Sequence, residues 1–210
     1  MLFRSYKKLL NLGQHFNVIA LFGNQTVATT DLPATTRHLD CYLANLSLTD
    51  KVFSAIPIGA GRVNDAAQML ALARGVSLEE MRARPGLIGN INVNSPRKLD
   101  EAMSDGALAL AELGQAVIVT PFTLLGAMTP VTMAAGLVQQ NAEALFGIAM
   151  IQLFYPGNPV VYGGFTSNVD MRSGAPAFGT PENAKANLAG GQLARRYCLP
   201  YRTSACNASN

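Results

Sequence analysis

The chain has 210 residues, enough for one large domain or two small ones. It is 49% hydrophobic and only 14% charged, so it must bury much of its surface. A net charge of +3 with no Lys/Arg-rich run argues against a nucleic-acid partner.

Residues 1–13 (MLFRSYKKLLNLG) are short, basic and helix-compatible; they fit poorly with the rest of the chain and are expected to lie outside the main core. Residues 17–23 (NVIALFG) carry an unbroken apolar run, the pattern of a strand buried on both faces. Asp31 and Pro33 predict a helix start, giving a helix over 33–48. A strand is predicted over 51–58 and a helix over 63–74, ended by Gly75. A second helix comes next over 77–84, with Ser77 and Glu80 spaced as a capping box. Residues 86–93 (GLIGNINV) read as a strand and 97–113 as a helix, with Gly114 placed for a left-handed stop. Strands over 116–122 and 159–165 flank a long apolar helix over 130–154. Thr180 and Pro181 begin a last helix to residue 197, and 201–205 starts a further strand.

About six strands thus alternate with helices, which means an α/β fold with a parallel sheet. The long connections follow strands and the short ones follow helices, as in a (β/α)8 barrel with its site on the βα loops. A complete barrel needs eight units and about 250 residues, so residues 1–210 are expected to be one partial TIM-barrel domain, a piece of a longer barrel.

Several chemistries are disfavoured. The three cysteines (Cys41, Cys198 and Cys206) are odd in number and form no CxxC, which argues against a disulfide framework and favours a reducing cytoplasm. His15 and His38 have no ligand spacing, so no metal of the protein's own is expected. Gly59–Gly61–Asn64 departs from the dinucleotide fingerprint, and neither a phosphate loop nor a nucleophile elbow is present. Gln139, Gln140, Asn141 and Glu143 interrupt the most apolar segment, which argues against a membrane span; residues 1–12 lack the features of a signal peptide.

The candidate site lies at three strand ends: Asn92 and Asn94; Thr120, Phe122 and Thr123; and Tyr162, Phe165, Thr166, Asn168, Asp170 and Arg172. Asn90, Asn92 and Asn94 alternate and share one side of a strand, where they either line the barrel interior or hydrogen-bond neighbouring loops. The segment 166–180 is longer than most βα connections and mixes a carboxylate, a guanidinium, an amide and hydroxyls. It is either functional or a self-contained structure braced by Asp170 and Arg172. On the long helix, Thr132, Gly136, Gln139/Gln140, Glu143 and Gly147 form a small and polar stripe, read first as close helix packing.

The stretches TPFTLLGAMTPVTMAAGLVQQNAEAL, PGNPVVYGGFTSNVDMRSGAPAFGTPE and LAGGQLARRYCLPYRTS, with INVNSP at 91–96, resemble the trimethylamine:corrinoid methyltransferase family over nearly the whole chain. The resemblance implies a TIM barrel about twice this length. It also implies methyl transfer from a tertiary or quaternary methylamine, trimethylamine or a betaine, to the Co(I) corrinoid of a separate carrier protein that docks over the barrel mouth. The corrinoid is then a cofactor carried by the partner, in keeping with the missing D-x-H-x-x-G motif. Some members carry pyrrolysine, and the subgroup stays open. The competing reading is a non-catalytic barrel remnant that binds a methylamine or a partner protein; self-association into a homo-oligomer is compatible with either.

Overall fold

The computed structural model describes residues 2–23 and 26–204. The chain divides into two compact units: Met1–Asn90 with Asp105–Ala116, and Ile91–Ser104 with Val117–Asn210.

The first unit holds α1 (Phe3–Gln14), β1 (Leu21–Phe22), α2 (Arg37–Leu48), β2 (Val52–Ala55), α3 (Ala60–Arg74) and α4 (Leu78–Ala83). It also takes the first half of β3 (Ile88–Val93) and most of α5 (Glu101–Glu112). β2 lies between β1 and β3, parallel to both, with Phe22 opposite Phe53 and Ala55 opposite Gly89. Helix and strand approach closely where side chains are missing: a Cβ on Gly89 would meet Leu110, and one on Gly106 would meet the Pro57 backbone. Gln115 is fully buried and satisfied. Its Oε1 accepts from the Gly86 and Leu87 amides at 2.8 and 2.9 Å, and its Nε2 donates to Leu113 O and Met81 O.

The amino-terminal helix packs against β1 and α2 of the first unit. Tyr6 and Leu10 bury against Phe22, Cys41 and Ala44. Asn45 Nδ2 donates to the Tyr6 hydroxyl at 2.6 Å. Asp31, expected from the sequence to start α2, instead accepts from the Phe3 amide at the start of α1, where a carboxylate meets the positive end of the helix. α2 accordingly begins four residues later than expected, at Arg37. The predicted capping box of α4 is formed: Ser77 Oγ accepts from Glu80 N, and Glu80 accepts from Ser77 N.

The second unit holds the rest of β3, β4 (Ala116–Leu125), α6 (Met133–Phe154), β5 (Val160–Val169), β6 (Pro176–Ala177), α7 (Pro181–Arg196) and β7 (Tyr201–Thr203). β4 neighbours β3 and runs parallel to β5 from Val117 opposite Val160 to Leu125 opposite Asn168. β7 pairs in parallel with β5 on its other side. Within each unit, parallel strands with crossover helices, the short antiparallel β6 apart, are the α/β fold of an incomplete (β/α)8 barrel.

Other boundaries also differ from expectation, and three of them shape the site and its surroundings. β5 continues to Val169, because β6 folds back antiparallel on its end, with Asn168 opposite Ala177. The segment 166–180 is therefore largely a hairpin rather than an open loop. α5 starts at Glu101, since 94–98 forms a bridged turn in which Asn94 N donates to Lys98 O at 2.6 Å. β1 shrinks to two residues, because 16–19 turns and Lys51 Nζ binds the Phe16 and Ile19 carbonyls.

Candidate substrate site

β4 and β5 each present one face to helices, and their register decides which residues go where. Gly147 of α6 sits against Val119, and Gly136 against Leu125, where any Cβ would collide. The glycines of the small and polar stripe thus serve close packing, and the odd-numbered side chains of β4 face α6. On β5 the helix-facing residues are the even-numbered ones. The Tyr162 hydroxyl donates to Asn141 Oδ1 of α6 at 3.0 Å, and Thr166 donates to Gln140.

Three candidate residues therefore lie on the helix face. Thr123, Tyr162 and Thr166 are at most 1% exposed. Thr123 and Thr166 share a hydrogen bond, and Asn183 of α7 donates to Thr166 O. Burial pushes Tyr162 up to about 12, an effect partly offset by the nearby Gln140 amide.

The opposite face carries Thr120 and Phe122 of β4 and Phe165 of β5. Phe122 and Phe165 stack with centroids 5.1 Å apart. Phe178, just past β6, meets Phe165 edge-on at 4.9 Å and Phe122 at 6.3 Å. All three rings are half-buried. Beside them, a Cβ on Gly163 would strike Thr120 Oγ1 and Val119 O, so glycine is required for the close approach of β4 and β5 there. On β3, Val93 lines a cavity with Ala142, Glu143 and Phe146 of α6, which turns Asn92 to the side away from that helix. Asn92 and Asn94 are both exposed.

The hairpin tip is ordered by Asp170. Its carboxylate accepts from the Arg172 amide at 2.8 Å, which holds it below the usual carboxylate range. The brace thus uses the Arg172 backbone and leaves the guanidinium exposed at the tip. Asn168 accepts from Thr180 Oγ1, tying the hairpin to the start of α7. Among the described residues, no group of three or more His, Cys, Asp or Glu is placed to hold a metal ion, and no helix is long and apolar enough to cross a membrane.

Sequence reasoning missed two residues. Phe178 lies 13 residues beyond Phe165, and only the hairpin returns it to the same ring cluster. Glu143 carries no sequence signal beyond its place in the packing stripe. It is 3% exposed and accepts from Ser95 Oγ (2.5 Å), Arg97 N (2.8 Å) and Gln139 Nε2 (2.9 Å).

Parallel strands joined by crossover helices, with aromatic rings gathered on the carboxyl-terminal halves of two of them, define an α/β chain of the barrel class. The chain belongs to the trimethylamine methyltransferase (MTTB) family, whose sequence profile matches residues 2–210. It is 34% identical over 200 residues to a glycine betaine methyltransferase of Desulfitobacterium hafniense (strain Y51), covering 95% of this chain and 42% of the relative. It is 36% identical over 120 residues to a proline betaine:corrinoid methyltransferase of Eubacterium limosum, covering 57% of this chain and 25% of the relative. A trimethylamine methyltransferase MttB of Methanosarcina thermophila matches at 35% over 122 residues, 58% of this chain and 25% of that protein. The chain thus spans less than half the length of these curated relatives.

Proposed function

We propose that the chain is part of an enzyme that moves a methyl group from a methylated amine, with a quaternary ammonium favoured, to the corrinoid of a separate carrier protein. Family membership supports the reaction class. The observation that carries the substrate reading is the Phe122–Phe165–Phe178 cluster on the carboxyl-terminal halves of β4 and β5. Aromatic faces attract a cation and offer an N–H donor only a weak contact. Asp170, on the hairpin between Phe165 and Phe178, accepts from the Arg172 amide of its own hairpin tip. A quaternary nitrogen has no N–H to satisfy, so it suits such a surface better than a protonated tertiary amine.

Family membership supports a corrinoid carried by a partner protein. When the carrier docks, the corrinoid supplies the Co(I) nucleophile that accepts the methyl group. This chain's residues hold and aim the substrate. The phenylalanine faces stabilise the positive nitrogen, and a quaternary nitrogen leaves as a neutral amine without needing a proton from the protein. Arg172, exposed at the hairpin tip, is available to pair with a betaine carboxylate. The cytoplasm is the compartment this reading implies.

The test is methyl transfer by the full-length enzyme to a purified carrier with its corrinoid reduced. Transfer from glycine betaine or another quaternary amine, lost on removing the carrier, is expected. Transfer from trimethylamine alone would overturn the quaternary reading, and the absence of transfer from any methylamine would overturn the reaction.

A further inference from the structure

We infer that Glu143 is a positioning residue for the substrate site. From α6, behind the sheet, it fixes the β3–α5 turn at the rim where Asn92 and Asn94 stand. This rests on the proposed methyl-transfer function.

The carboxylate is 3% exposed, and no Lys, Arg or His in the described residues forms an ion pair with it. Burying a carboxylate without a counter-charge is costly, so three donors must compensate. One of them, Gln139 Nε2, belongs to the same helix and also donates to Met128 O in the turn after β4. The other two, Ser95 Oγ and Arg97 N, both come from the turn after β3. Glu143 and its neighbour Gln139 therefore link the turns after two adjacent strands.

The turn needs such a hold. Arg97 has φ 56°, a left-handed conformation that residues other than glycine seldom adopt. Its amide points into the Glu143 carboxylate, so the bond is made only while that conformation is kept. The paired backbone bonds between Asn94 and Lys98 close the same turn. Asn94 is thus set by a clamp whose anchor lies on the other side of the sheet. A side chain that only filled space would not need to carry charge there.

The experiment compares full-length Glu143→Gln and Glu143→Ala enzymes, below the melting temperature of both, by amide exchange, tetramethylammonium binding and methyl-transfer kinetics. Glutamine can accept from Arg97 N and Gln139 through its carbonyl and donate to Ser95 Oγ, so it should keep the Arg97 amide protected and kcat/KM within about threefold of wild type. Alanine should expose the Arg97 amide while the β4 and β5 amides stay protected, and should lower kcat/KM by about tenfold or more, as small misplacements in a site do. The inference is overturned if the alanine enzyme keeps a protected Arg97 amide or wild-type kcat/KM, or if glutamine is impaired as much as alanine. If the wild-type enzyme transfers no methyl group, the proposed function fails by itself; the role of Glu143 is then judged by Arg97 exchange and tetramethylammonium affinity, and an unchanged affinity in the alanine enzyme overturns it.

Discussion

The two faces of β4 and β5 share one backbone ladder and differ in almost everything else. On the helix side, Thr123, Thr166, Tyr162, Gln140 and Asn141 form a buried hydrogen-bonded belt closed by α6 and α7. On the other side, Phe122, Phe165 and Phe178 leave ring area exposed and make no side-chain hydrogen bonds. The buried polar residues of the helix side thus have partners inside the fold, and the half-exposed rings keep area free. A buried hydroxyl is costly unless paired, so it is held where partners are guaranteed. A half-exposed aromatic ring keeps a face free for a ligand.

The comparison can be broken hardest on the helix side. Tyr162→Ala removes a fully buried ring and should cost about 3–5 kcal/mol of stability, seen as a large fall in melting temperature of the full-length protein. A wild-type melt would mean that the belt does not hold the fold. On the open side, Phe165→Ala should instead weaken tetramethylammonium binding about five- to thirtyfold, the equivalent of about 1–2 kcal/mol of cation–π attraction, measured by titration calorimetry. Equal loss of affinity in the folded Tyr162 and Phe165 variants would erase the distinction between the faces.

Alkaline pH separates the faces further, because only the helix side titrates there. Burial raises Tyr162 from 10.0 to about 12, and Tyr42 of the first unit likewise to about 12. Both are raised in the fold, so their contribution is intact below pH 10 and is lost as pH climbs toward 12. Melting temperature should fall across that window, together with the rise of tyrosinate absorbance. A melting temperature that stays flat while these tyrosines ionise would contradict the burial argument.

Arg172→Ala sharpens the picture of the open side. Affinity for glycine betaine should drop about tenfold while that for tetramethylammonium, which has no carboxylate, stays put. Equal losses for both ligands would place Arg172 outside carboxylate recognition. The smallest effect is expected for Asp170→Ala: the carboxylate serves only the exposed hairpin tip, so melting temperature and tetramethylammonium affinity should both stay at wild-type values. A clear loss of affinity would bring that carboxylate into the cation site.

By itself the sequence determined the local chemistry and the order of elements. Apolar runs and caps such as Ser77–Glu80 and Thr180–Pro181 act within a few residues, so they were legible and the structure forms them. The parallel α/β order and the family likeness came from the same stretches. What the tertiary structure decided was which side of each strand is which. A period of two sorts residues into two sets but does not say which set meets a helix; Gly136 and Gly147 against β4 settled that for Phe122 and Thr123. Partners distant in sequence settled the rest. The return of β6 onto β5 brought Phe178 to Phe165, and the Ser95 and Arg97 turn came to Glu143 across more than 40 residues, because hydrogen bonds and ring contacts depend on distance in space alone.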